Sequence, residues 1–219
     1  MNIALPEKFF YSAGDRDKAF VDNNILYIEG RINFEDLMYS ITYSLKGYHQ
    51  CLYCGRELAS NKRTLDHMYP KHFGGVSIPD NLIPCCQSCN STKSCLTTEQ
   101  FYHWRRIKQK DRRERAFNGM VAENRRKFKN GIILPKEWIS YYNISEVINQ
   151  ISFEEVIKSE LANSKIELFY FKYHHYHKPI IVSSNNWVFA GFHILYHAKK
   201  HSIENVPAII LDNVVHLSH

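Results

Sequence analysis

Phe34, Leu37, Met38, Ile41 and Leu45 recur at steps of three and four residues, which places them on one face and predicts an amphipathic helix over 34–46 that packs on its neighbours. Before it, a turn-rich opening at Phe9–Gly14 precedes a short apolar run, Ile25–Gly30, that reads as a strand. Arg63–His67 reads as a second strand, Pro70 to Pro79 as a loop turning at Gly74-Gly75, and Asn90 onward as a helix start. Residues 97–129 contain no proline and a single glycine, Gly119. They predict one long helix, capped by Thr97 or Thr98, with Phe101, Trp104 and Ile107 along one side and a break near Gly119. Past Gly131 the pattern changes to short apolar strands: Lys178–Val182, Trp187–His193 and Val206–Asp212, with a helix over 194–201. The expected class is α+β, divided into an N-terminal extension (1–47), a compact motif region (48–96), a helical connector (97–130) and a small mixed α/β domain (131–219).

A chain of 219 residues with 44% hydrophobic positions can bury one large core or two small ones. It carries no 18-residue apolar run, and its first residues lack the pattern of a secretory leader, so a cytoplasmic protein without membrane attachment is expected. The net charge of +6 is localised. Lysine and arginine balance the acids on either side of the connector, whereas residues 97–130 hold eleven basic against four acidic residues. Such a stripe suits a polyanion, and Arg105, Arg106, Lys108, Arg112, Arg113 and Arg115 are the candidate phosphate contacts. The plainer alternative is a solvated helical face.

All six cysteines lie between residues 51 and 95, and four form two Cys-x-x-Cys pairs, Cys51/Cys54 and Cys86/Cys89. Paired thiolates at this spacing suit tetrahedral Zn2+, and two pairs complete a closed structural shell. Cys85 and Cys95 are left as buried thiols. A closed shell offers the zinc no open position, so any chemistry must come from the oxygen and nitrogen side chains beside it: Asp66, His67, Asn81 and Asn90. These suit a hard divalent ion such as Mg2+ or Mn2+.

In order, the chain reads C-x-x-C, D-H-x-x-P, G-G, D-N-L-I-P and C-x-x-C-N-x-x-K. Over residues 48–95 this resembles the zinc-containing branch of the HNH endonuclease family, with Asn90 standing where the third named histidine would be and preserving an oxygen ligand. The resemblance implies a ββα-metal module clamped by a four-cysteine zinc site, acting on DNA. It implies that His67 is general base on a water, that Asp66 and Asn90 hold the catalytic ion, and that Asn81 ties the loop and orients His67. Lys93 would touch a neighbouring phosphate, and products would carry 5′-phosphate and 3′-hydroxyl ends. Adjacent strand positions face opposite ways, so Asp66 and His67 would work from opposite sides of the scissile phosphate.

Residues 132–213 resemble the ParB/sulfiredoxin-like fold, through Lys178–Val182, Trp187–His193 and Val206–Asp212. Ile194 occupies the position where that family usually has an arginine, which argues for a DNA-binding or target-selecting module rather than a second catalyst. His193 reads as structural more than as a contact. Within Tyr173–His177, His175 and His177 would share one face of a strand and are the pair able to share an ion, against the plainer reading of a solvated strand. The function expected is a DNA endonuclease of phage, mobile-element or restriction type, with a possible homodimer where both strands are cut. The alternative is a non-catalytic, zinc-stabilised nucleic-acid-binding module.

Overall fold

The computed structural model describes residues 33–46, 50–59, 62–147, 160–184 and 186–211, and the strand expected at Ile25–Gly30 lies outside them. The chain divides into two compact units. One takes the residues up to 71 together with 75–121; the other takes 72–74 and 122–214.

The first unit opens with α1 (Phe34–Lys46). Asn33 caps it by accepting from the Asp36 amide at 3.0 Å. Its buried face is Leu37, Met38, Ile41 and Thr42. That face lies against β2 (Leu82–Cys86) and the turn at Pro79–Asn81. Burial of three apolar side chains at no residual exposure removes enough surface from water to fix the helix there. β1 (Arg63–His67) runs antiparallel to β2, with Asp66 opposite Ile83 and His67 opposite Leu82. The chain then enters α2 (Gln87–Lys93), capped by the Cys86 sulfur accepting from the Cys89 amide.

Helix α2 therefore begins three residues before Asn90, which sits one turn in rather than at the start. The second strand was also missed by the pattern: Leu82–Cys86 is buried at every position, so it shows no alternation. Pro84 fits because its backbone points away from β1, its carbonyl accepting from the Leu52 amide at 3.2 Å, so the missing N–H leaves no bond of the ribbon unmade.

The expected single connector helix is two. α3 (Thr98–Arg106) starts at a capping box in which Thr97 and Gln100 satisfy each other's amides. α4 (Lys110–Asn130) follows after a break at residues 107–109, and Gly119 lies unbroken inside it. What bridges the break is a clamp: the Trp104 indole donates to the Arg113 carbonyl at 3.0 Å while the Arg113 guanidinium covers the same ring. Cys51, Tyr53, Leu58, Ile83, Cys85, Cys86, Leu96 and Phe101 form this unit's core, joined by Trp104 and Phe117.

The second unit holds a four-stranded mixed sheet, ordered β3 (Ser140–Asn143), β6 (Asn205–Leu211), β4 (Ile180–Ser183) and β5 (Val188–Ala190). β4 and β6 are parallel, joined through β5 and α6 (Phe192–Lys200), and α6 packs on both strands and on α5 (Glu160–Tyr173). The histidine-rich stretch is not a strand. Helix α5 ends at Tyr173, His174 takes a positive φ of 56°, and the chain turns. Both His175 ring nitrogens lie against carbonyl oxygens, of Tyr176 at 2.8 Å and Lys129 at 3.1 Å, so it shares no ion with His177. His193 bonds Asn163 at 2.9 Å, as a structural histidine would.

Burial, then the charges of Lys178 and His175, holds His177 down to about 4. A histidine kept neutral by the fold contributes stability that is fully present above its unfolded pKa of about 6.5 and is lost as pH falls toward the folded value. The second unit should therefore lose at most about 3 kcal/mol between those two pH values. Its thermal midpoint should fall over that window, and His177→Gln should flatten the profile; an unchanged profile would remove His177 as the cause.

Candidate active site and metal centre

Cys51 and Cys54 are presented by a tight turn. The Gly55 amide donates to the Cys51 carbonyl at 2.8 Å, and Gly55 takes φ +72°, which its lack of a Cβ permits. Cys86 ends β2 and Cys89 lies in the first turn of α2. All four sulfurs lie within 4.8 Å of one another, and Cys54 and Cys86 are 4.0 Å apart. Four bonds of about 2.3 Å to a tetrahedral ion place sulfurs roughly 3.8 Å apart, so the cluster fits a zinc ion. Burial opposes ionisation of Cys86, yet hydrogen bonds from the Cys89 amide and neighbouring thiols bring it to about 7, while burial pushes Cys51 and Cys89 up. A divalent cation is what would let all four thiolates coexist. Cys85 faces the other way, to the Thr64 hydroxyl at 3.2 Å, and burial raises its thiol to about 12. It is an inert core thiol.

Asp66 and His67 leave β1 on opposite faces. Asp66 is only 5% exposed. Its Oδ2 accepts from the Tyr53 hydroxyl and lies 3.0 Å from the Lys93 ammonium, which also donates to the His67 carbonyl at 2.7 Å. Lys93 has no exposed side-chain surface, so it does not reach a phosphate as expected; it is the internal counter-ion of Asp66. Burial pushes the Asp66 carboxyl up and the Lys93 ammonium down, and each partner opposes the other's shift. Removing one charge of a buried pair strands the other, at a cost of about 3–5 kcal/mol. Lys93→Met should lower stability by that order in a denaturant titration. Adding Asp66→Asn should recover much of the loss; a recovery of nothing would show that the two charges do not depend on each other.

Asn90 donates its side-chain amide to Thr64 Oγ1 at 3.3 Å and to the Leu65 carbonyl at 3.4 Å. Those bonds fix which end of the amide is nitrogen and leave its oxygen as a hard donor without a hydrogen-bond partner among the described residues. The Asp66 carboxylate likewise keeps lone pairs beyond those that accept from Tyr53 and Lys93.

Asn81 is fully buried and uses every polar atom: it donates to the Tyr69 and Val76 carbonyls at 3.1 and 2.9 Å and accepts from the Tyr69 amide at 2.8 Å. It ties the loop that follows β1. Gly75 lies inside that loop, where a Cβ would come 1.9 Å from the Tyr69 carbonyl, so no other residue fits the closure. The residue that meets the His67 ring is Ser77, whose Oγ is 3.0 Å from Nε2. Nothing in the motif announced Ser77; a hydroxyl two residues past the glycine pair was the only signal. Burial, then the Lys71 charge, holds His67 down to about 4, which keeps the imidazole neutral near pH 7.

Of the basic candidates, Arg105, Arg106, Lys108, Arg112 and Arg115 are exposed. Arg113 is half-buried over Trp104, and Arg105 also donates to the Tyr53 carbonyl.

Residues 51–102 match the HNH endonuclease family. The match spans both cysteine pairs, β1, β2, α2 and the start of α3, and it suggests a nuclease, a hydrolase that acts on nucleic acid. Among curated proteins none matches the chain. No helix among the described residues is long and apolar enough to cross a membrane.

Proposed function

We propose that this chain is a metal-dependent DNA endonuclease in which a zinc-clamped ββα-metal module cuts a phosphodiester bond. The observation that supports this reading is that Asp66 and His67 on β1 and Asn90 on α2 all lie inside the matched segment, on the same ribbon and helix that carry or adjoin the four-cysteine cluster.

His67 takes a proton from the attacking water as the new P–O bond forms, and the 3′ oxygen leaves with the electrons of the broken bond and is protonated by solvent. Asp66 and Asn90 would hold one Mg2+ or Mn2+, which when bound supplies neutralising charge for the phosphate and the leaving oxygen. Asn81 keeps the loop closed, and Tyr53 and Lys93 fix the Asp66 rotamer. Arg106, Lys108, Arg112 and Arg115 supply phosphate contacts, with Arg105 and Arg113 fixed at the start of the same surface. The second unit, read as ParB-like from its sequence, selects the target, and Ile194, fully buried, does no phosphate chemistry.

The test is supercoiled plasmid at low salt with Mg2+ or Mn2+ and the zinc-loaded protein. Nicked or linear DNA with 5′-phosphate ends is the expected product. Tight, salt-sensitive binding without cleavage on plasmid and on modified DNA would instead favour the non-catalytic binding module.

A further inference from the structure

Helix α1 lies outside the matched segment, yet it reaches the proposed general base. The Ser77 hydroxyl that meets His67 Nε2 also lies 3.0 Å from Glu35 Oε1. Glu35 receives the Tyr39 hydroxyl on Oε1 at 2.8 Å and the Lys71 ammonium on both oxygens, at 2.7 and 2.8 Å.

The protons in this chain can be counted. Burial works against the Glu35 charge, but the bonds from Lys71, Tyr39 and Ser77 outweigh it and hold the carboxyl below its usual range. An ionised carboxylate only accepts. Burial and the Glu35 charge raise Tyr39 to about 12, so its phenol keeps its proton and donates. Ser77 has one proton to give. Directed at His67, it would leave the serine and carboxylate oxygens facing each other at 3.0 Å with no proton between them. Directed at Glu35, it leaves the Ser77 oxygen to accept from His67, which then carries its proton on Nε2.

We infer that Glu35, acting through Ser77, is a positioning residue that sets the His67 tautomer and so leaves Nδ1 as the basic nitrogen. Among the described residues Nδ1 has no hydrogen-bond partner, so its lone pair is available to a water. When Nδ1 takes the water's proton, the imidazolium keeps its Nε2–H on Ser77, and the Glu35 carboxylate stabilises the new charge through that hydroxyl. No proton moves along the relay. This inference rests on His67 being the general base, and it makes α1 part of the catalytic apparatus rather than packing alone.

The test uses the full zinc-loaded chain with isotope-labelled histidine, and long-range proton–nitrogen correlation at neutral pH, with the His67 signals assigned by their loss in His67→Asn. Wild type and Ser77→Thr, which keeps the hydroxyl, should show the Nε2–H form. Glu35→Gln supplies an amide that can donate to Ser77, which turns the serine proton to His67 and should shift the ring toward Nδ1–H. In plasmid or oligonucleotide cleavage, Glu35→Gln and Ser77→Ala should lower kcat by roughly 10- to 100-fold with KM within about twofold, and Ser77→Thr should recover most of the loss. An Nδ1–H ring in wild type, or a Glu35→Gln protein with unchanged tautomer and unchanged kcat, would overturn the relay. If wild type cuts no DNA at all, the nuclease reading falls, and the spectrum still decides whether Glu35 sets the tautomer.

Discussion

His67→Ala should abolish cleavage while leaving the affinity for DNA within about twofold. General-base assistance contributes roughly 10²- to 10⁴-fold to a rate, and His67 is the proposed base. Asp66 faces the other side of β1 and is held by Tyr53 and Lys93. The exposed basic residues that would bind phosphate lie on α3, α4 and the link between them, and keep their places whatever stands at position 67. Single-turnover cleavage beside fluorescence anisotropy on the same oligonucleotide separates the two. A His67→Ala protein that cuts at more than about a tenth of the wild-type rate would remove His67 as base, and one that no longer binds would place His67 in recognition.

Zinc removal should unfold the ribbon. The core around the four cysteines is small, and two of its buried residues, Cys51 and Cys86, are themselves ligand candidates. Structural zinc contributes about 10–16 kcal/mol in isolated small modules, more than so small a core can supply. One zinc per chain is expected by elemental analysis. A strong chelator or Cys51→Ser should release it, expose β1 and β2 to hydrogen exchange and abolish cleavage, whereas the second unit, with its own core, should keep its protection. Cys85→Ala is the control: its thiol points to Thr64, so one zinc per chain should remain. Intact exchange protection of β1 and β2 in the metal-free protein would show that the apolar core suffices alone.

Much of the candidate site was legible because the chemistry fixes the spacing. Cys-x-x-Cys can mean a metal turn wherever the chain folds, and Asp66-His67 on a strand must face opposite ways. The apolar face of α1 was readable from three-and-four spacing, and β1 as the segment ahead of the loop that turns at Gly74-Gly75. Strand β2 was not, since complete burial erases the period, and the break before α4 was misplaced because glycine tolerates a helix interior while Trp104 and Arg113 close a clamp that no local rule encodes. The histidine-rich turn was misread for a similar reason: the end of α5 at Tyr173 and the carbonyls of Lys129 and Tyr176 decide its shape.

Lys93 marks the limit most clearly. In the sequence it is a lysine three residues past Asn90, equally suited to a phosphate or to solvent. Only packing puts it at zero exposure beside Asp66 and Tyr53, where charge burial makes pairing obligatory. Glu35 and Ser77 likewise lie 42 residues apart and share no motif. The four-cysteine cluster, the general-base candidate and the basic stripe could be read from the chain alone, because these depend on side-chain chemistry at short spacing. Only the packed fold shows that Lys93 neutralises Asp66 and that Ser77 and Glu35 reach the His67 ring, because these groups meet only when the ribbon, the loop and α1 are packed together.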